Sequence, residues 1–205
     1  MALNQEKMRS LMEEILQEDY VHLDVEAYRI EERFDEEKCR IVCQMTTVDA
    51  ETVEVTGTGV GTIDALFAAL RSHLAEDYPS LKSIKFSQFS IQGLMSSDNG
   101  EASTKAEAKA TVGIVNSEGR EFVFEAKVPS VSRAGVQATV RAAEYFVNSE
   151  RTYVKLHEIL EHYRNEGRTD LVEKYTDLMS QVVQNTSYSE VVEQIRESMG
   201  NESSS

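Results

Sequence analysis

The chain presents the same order of patterns twice, and a duplication of that kind restricts its fold more than any single motif. In the first copy Leu23, Val25 and Ala27 alternate with Asp24 and Glu26. The charged turn FDEEK follows, then Cys39, Ile41, Cys43 and Met45 alternate in turn, and a short VDAE connection leads to Val53 and Val55. A period of two over such runs is that of half-buried strands. Helical spacing then takes over, with Ile63, Leu66, Phe67, Leu70 and Leu74 on one face. In the second copy Ile84 and Phe86 alternate, and Phe89 and Ile91 continue on the opposite parity, which predicts a bulge near Ser87 and Gln88. Ala106, Ala108, Ala110, Val112 and Ile114 predict a long strand, and the turn NSEG closes a hairpin onto Phe122, Phe124, Ala126 and Val128. A helix carrying Val136, Thr139, Val140, Ala143 and Val147 completes it. Those five positions lie 73 residues beyond the apolar set of the first helix, and Val53 and Val55 map by that offset onto Ala126 and Val128. The expectation is an internal duplication of a βββα unit, about 20–78 and 80–149. The fold class is then α+β, with pseudo-twofold symmetry, sheet on one side and helices on the other.

Helical pattern flanks the pair. Met8, Leu11, Met12, Ile15 and Leu16 give residues 1–19 an amphipathic helix that docks on another surface. Residues 150–199 read as a helical extension: Leu156, Leu160 and Tyr163 mark one segment, NEGR breaks it, and Leu171, Val172, Tyr175, Leu178, Met179 and Val182 mark the next. Val191, Val192, Ile195 and Met199 predict a last short helix before the polar tail 200–205, expected to be disordered. The extension must cover its apolar stripes against the sheet domain, a second copy or a protein partner.

Charge narrows the choice of partner. With 36 acidic and 21 basic side chains the net charge is −15, which repels nucleic-acid phosphates and anionic lipid heads. Neither nucleic acid nor membrane is expected, since no apolar run approaches the ~18 residues of a membrane span, and the acidic N-terminus lacks the basic head of a signal peptide. Cys39 and Cys43 share one strand face too far apart to bridge. Buried thiols in a reducing cytoplasm fit that arrangement.

The stretch VTGTGVGTIDALFAAL joins the third strand to the first helix through Gly57, Gly59 and Gly61. A phosphate-binding P-loop would need Lys and Ser or Thr after its last glycine, and a dinucleotide fingerprint would need G-x-G-x-x-G. This stretch has neither, so two readings stay open. The glycines permit positive φ and let a small carboxylate approach free amides at the helix N-terminus, or they only make the turn and pack the crossover tightly.

The segment GVGTIDALFAAL, between short alternating strands and a second βββα unit, resembles the C-terminal regulatory domain of the α-isopropylmalate synthase and citramalate synthase family. That family's motif reads G-x-G-P-[VI]-D-A, so Gly59, Gly61, Ile63, Asp64 and Ala65 match, with Thr62 in place of the proline. The similarity covers roughly residues 20–150. It implies a twofold dimer that binds an end-product amino acid, leucine or isoleucine, at an effector pocket formed by Gly59, Gly61 and Ile63 with Phe86 on the next strand. Lys105, Ala134 and Gln137 stand where the family often carries acids. The family's chemistry resides in a barrel of about 250 residues, for which 205 leave no room, so no catalytic residues and no enzyme activity are expected.

Other chemistry has little support. His22, His73, His157 and His162 lack metal-ligand spacing, so no metal or cofactor is expected. The acid clusters EERFDEEK and EEILQED read as solvated faces, and Ser130 and Ser132 as helix caps rather than nucleophiles. Two functions remain. One is a regulatory module that binds a small carboxylate or branched-chain amino acid. The alternative is an assembly module that kept the dimeric fold, lost the effector and uses its terminal helices to bind another protein.

Overall fold

The computed structural model describes residues 2–46, 51–94 and 107–184. Helix α1 (Ala2–Leu16) leads to the hairpin β1 (Asp24–Arg33) and β2 (Lys38–Thr46), then β3 (Thr52–Gly59) and α2 (Thr62–Leu74). A short turn of helix, α3 (Ser80–Ser83), precedes β4 (Lys85–Leu94), β5 (Glu107–Val115), β6 (Glu121–Val128), α4 (Val131–Asn165) and α5 (Thr169–Gln184). Most of the VDAE connection, Lys105, Ala106, the predicted helix bearing Val191 to Met199 and the tail lie outside the described residues.

Each unit is a three-stranded antiparallel sheet in sequential order, β1-β2-β3 and β4-β5-β6. The central strands alternate as expected: Cys39, Ile41, Cys43 and Met45 are all fully buried, as are Ala110, Val112 and Ile114. Helix α2 lies on β2 and β3, whereas α4 lies on β5 and β6, touches β1 and packs against α2 and α1. The fold is α+β, built of two βββα units with additional helices.

The offset between the units is 69 residues, not 73. Buried Cys39, Ile41, Cys43 and Met45 correspond to Ala108, Ala110, Val112 and Ile114, and the buried run Ala65, Leu66, Phe67, Ala69, Leu70 to Ala134, Gly135, Val136, Ala138, Thr139. The helices start at corresponding positions too, Thr62 and Val131. A slip of four residues is nearly one helical turn and two strand periods, so it lays apolar on apolar in both element types and escapes detection by periodicity. The first strands correspond through their bulges, which fall between Val25 and Ala27 in β1 and between Phe86 and Gln88 in β4. Glu26 therefore matches Ser87. The β4 bulge agrees with the parity change in the sequence. The β1 bulge corrects the alternation assumed there: Ala27 is exposed, and Tyr28 and Ile30 take the inward side.

Helix α4 runs without interruption through residue 150, where the sequence pattern separates the second unit from the C-terminal extension. At 35 residues it is about 52 Å long. Its middle is polar yet buried, because the side chains there bond distant backbone. Asn148 accepts from the Val21 amide (2.8 Å) and donates to the Val21 carbonyl (2.8 Å). Glu144 accepts from the Leu23 amide (2.9 Å), and Glu150 from the Ser80 amide (3.1 Å). These bonds fasten the segments entering β1 and β4 to one helix. Burial raises the pKa of both carboxyls, that of Glu150 to about 7.

The chain turns at Gly167, in the left-handed region at φ 69°. Helix α5 then folds back on α4, with Tyr163 and Tyr175 stacked at 5.6 Å and Val182 fully buried. The Arg120 guanidinium, beside the β5–β6 turn, donates to the Gln184 carbonyl. The apolar face of α5 is thus partly covered within the chain: Val182 is buried, and Tyr175, Leu178, Met179 and Val183 are half-buried against the core.

Candidate functional site

A cavity of about 400 Å³ opens where the N-termini of α2 and α4 meet β4. Val60, Gly61, Thr62, Ile63 and Asp64 form one wall, Phe89 and Ile91 of β4 a second, and Val131, Ser132 and Gly135 of α4 the third. Its rim is apolar and exposed, Val60 at 81%, Val131 at 54% and Phe89 at 45%.

Three alternating glycines lead into this wall, the last of them part of it, and the structure gives them different tasks. A Cβ on Gly57 would lie 2.1 Å from the Ala65 carbonyl oxygen, and one on Gly59 would lie 2.4 Å from Asp64 Oδ2 and 2.6 Å from the Ala65 nitrogen. Both are needed so that α2 can approach β3. Positive φ, one of the reasons anticipated from sequence, is absent at all three; among described glycines it occurs at Gly119 and Gly167. Gly61 is extended, at φ −156° and ψ 172°, and an added Cβ there would meet nothing within 4 Å. Neither backbone conformation nor packing requires glycine at that position.

The start of α2 is polar and open. Gly61 is the N-cap, and no side chain caps the first turn, which leaves amide donors and the positive end of the helix dipole beside the cavity. Asp64 folds back so that its Oδ2 accepts from the Val60 amide at 3.1 Å, fixing the turn and supplying a carboxylate to the wall. At α4, by contrast, Ser130 Oγ accepts from the Arg133 amide (3.3 Å) and closes the cap. Ser130 is thus the cap expected from sequence, whereas Ser132 sits within the first turn and lines the cavity.

Of the four positions anticipated as a pocket, Gly61 and Ile63 line this cavity. Gly59 lies beneath Asp64. Phe86 turns to the core, its ring meeting Phe67 edge-on at 4.8 Å. The β4 bulge is the reason: beyond it the strand presents Phe89 and Ile91, not Phe86, to the helix N-termini. Gly135 was not among the anticipated positions; the signal for it was a glycine inside a helix pattern, which needs a packing reason. Its Cβ would come within 2.9 Å of Ile63 Cδ1, so a side chain there would press on the cavity wall.

Among the described residues no cluster of His, Cys, Asp or Glu is arranged to hold a metal ion, and no helix is long and apolar enough to cross a membrane. Cys39 and Cys43 are free and buried, and burial pushes the Cys43 thiol up to about 11.

Compared with known protein families, residues 2–147 match the model of the LeuA allosteric (dimerisation) domain. No curated protein matches the chain significantly.

Proposed function

Because the chain belongs to the LeuA allosteric (dimerisation) domain family, we propose that it is a non-catalytic regulatory module that forms a homodimer and binds a small carboxylate with an aliphatic side chain, such as leucine or isoleucine, at the cavity between α2 and α4. The observation that carries this reading is Gly61. It is a glycine that the fold does not require, set beside open space at an uncapped helix N-terminus.

The walls suit the three parts of such a ligand. Ile63, Phe89 and Ile91 offer apolar surface to the side chain, worth roughly 1.5–3 kcal/mol when it is fully buried. The first amides of α2 suit the carboxylate. Asp64 supplies the negative charge that an ammonium group needs, in place of the family acids missing at Lys105, Ala134 and Gln137. A small ligand held by one apolar side chain and two charge-assisted contacts, after the entropy cost of association, is tested at a Kd scale of about 1 mM, equivalent to about 4 kcal/mol. The exposed ring of Val60, Phe89 and Val131 favours a second protomer over the same face, since contiguous apolar patches mark contact surfaces.

Thermal unfolding of the purified protein against a panel of amino acids and 2-oxo or hydroxy acids tests the reading. At about ten times Kd, one compound should add about 1.4 kcal/mol, a rise of roughly 3–6 °C for a chain of this size. Gly61→Val should abolish the rise with the dimer intact. A flat panel from a folded dimer would favour the assembly reading.

A further inference from the structure

The duplication creates a second joint of the kind that Phe67 and Phe86 seal. In one joint the first strand of the second unit, β4, meets the helix of the first, α2, and the two rings fill the space between them. The corresponding joint brings β1 against α4. By the offsets given above, Phe86 corresponds to Val25 and Phe67 to Val136. Two valines stand where two aromatic rings meet, and a cavity of about 680 Å³ lies between them.

Its lining is unlike that of a packing defect. Dry, unused cavities are apolar, whereas here Arg133, Gln137 and Arg141 follow one another at four-residue spacing along one face of α4, where the first unit has Asp64, Ala68 and Ser72. Arg9 enters from α1 and His22 from the segment before β1. Three guanidinium groups around one cavity contrast with a chain of net charge −15. Three carboxylates share the lining, but two are engaged: Glu144 with the Leu23 amide, its other oxygen 3.8 Å from Arg9, and Glu26 with the hydroxyls of Thr46 and Thr52. Asp24 is exposed on the strand side. Of the three guanidiniums, Arg9 is paired with Glu13 (3.3 Å) and lies near Glu144, and Arg141 donates to the Glu125 carbonyl, whereas the Arg133 side chain makes no hydrogen bond or ion pair among the described residues.

We propose that this β1–α4 cavity is a second ligand site, distinct from the α2–α4 cavity, for a small polar molecule bearing a carboxylate or phosphate group. Arg133 holds the anionic group, for which its guanidinium offers paired donors, and the donors of Arg141 not used by the Glu125 carbonyl lie about two turns further along the same helix face. Gln137 hydrogen-bonds a neighbouring polar atom, and Val25 and Val136 form the floor.

Isothermal titration of the whole protein with inorganic phosphate, succinate and glutamate, each to about 10 mM, well above the Kd scale of such ligands, tests the proposal. At least one probe should bind saturably. Arg133→Glu should weaken it at least tenfold, and Val25→Phe, which restores at a half-buried position one of the two rings present in the other joint, should abolish it while the protein stays folded. Any leucine response of the α2–α4 cavity should persist in both variants, which separates the two sites. The proposal is overturned if none of the three probes binds to the folded protein, or if binding is unchanged by Arg133→Glu.

Discussion

Alanine placed in turn at Gly57, Gly59 and Gly61 should give three different outcomes from one chemical change. At Gly57 the new methyl would stand 2.1 Å from the Ala65 carbonyl oxygen, 2.5 Å from the Ala69 nitrogen and 2.9 Å from the Ala69 Cβ. Carbon atoms in contact sit about 3.5–4.0 Å apart, so α2 must lift from β3 by about 1 Å or more. Overpacking of a fitted core costs about 1–3 kcal/mol, and opposition by the α2 backbone at both Ala65 and Ala69 puts Gly57→Ala at or above the upper end. Gly59→Ala meets Asp64 Oδ2 at 2.4 Å and the Ala65 nitrogen at 2.6 Å. It should also break the bond from the Val60 amide to Asp64, a charge-assisted bond worth about 1.5–3 kcal/mol. Gly61→Ala meets nothing in an extended backbone that alanine adopts freely. Restricting the unfolded chain stabilises by up to about 1 kcal/mol and the preference for glycine over alanine at an N-cap offsets about as much, so the change should be close to neutral. Urea unfolding at 25 °C measures all three. If Gly57→Ala cost less than about 0.5 kcal/mol, or Gly61→Ala cost as much as Gly59→Ala, the division into packing glycines and a cavity glycine would be wrong.

Three further predictions concern the interior. The Glu150 carboxyl is raised from its ordinary 4.5 to about 7 by burial, so between those values the folded state holds a proton that the unfolded state has released, and stability falls as pH rises through that window. At about 1.4 kcal/mol per tenfold change in the protonation equilibrium, the loss is roughly 3 kcal/mol. Glu150→Gln, which keeps an acceptor for the Ser80 amide, should remove that fall, as a comparison of denaturation midpoints at pH 4.5 and 8 would reveal. Asn148→Ala should cost about 3 kcal/mol by leaving the buried amide and carbonyl of Val21 unpaired, and amide hydrogen exchange should show the segment before β1 opening first. Both thiols should resist a disulfide reagent at pH 8 in the native protein and react fully in urea, since both side chains are fully buried.

Much of the fold could be read from the sequence because alternation and helical spacing are strong where one face is buried and the other wet. The strands carrying Cys39 to Met45 and Ala108 to Ile114 are of that kind. The offset of the repeat was not legible, because a four-residue slip preserves both periods. The continuity of α4 was hidden for another reason. Asn148, Ser149, Glu150 and Thr152 look like the polar end of a helix, yet all are buried, and the partners of Asn148 and Glu150 lie 70 to 127 residues away. The candidate site was legible in part. Gly61 and Ile63, placed in a pocket by the family resemblance, line the cavity, but whether Phe86 or Phe89 reaches it depends on how a bulge rotates β4 relative to two helix ends. Such a relation exists only in three dimensions.

The most direct measurement is an amide and methyl chemical-shift titration of the intact protein with leucine. Saturable shifts concentrated at Gly61, Ile63, Phe89 and Gly135, with residues around Val25 and Val136 unmoved, are the predicted result. No shifts at millimolar leucine in a folded dimer, or shifts confined to other surfaces, would contradict the assignment of the α2–α4 cavity as the effector site.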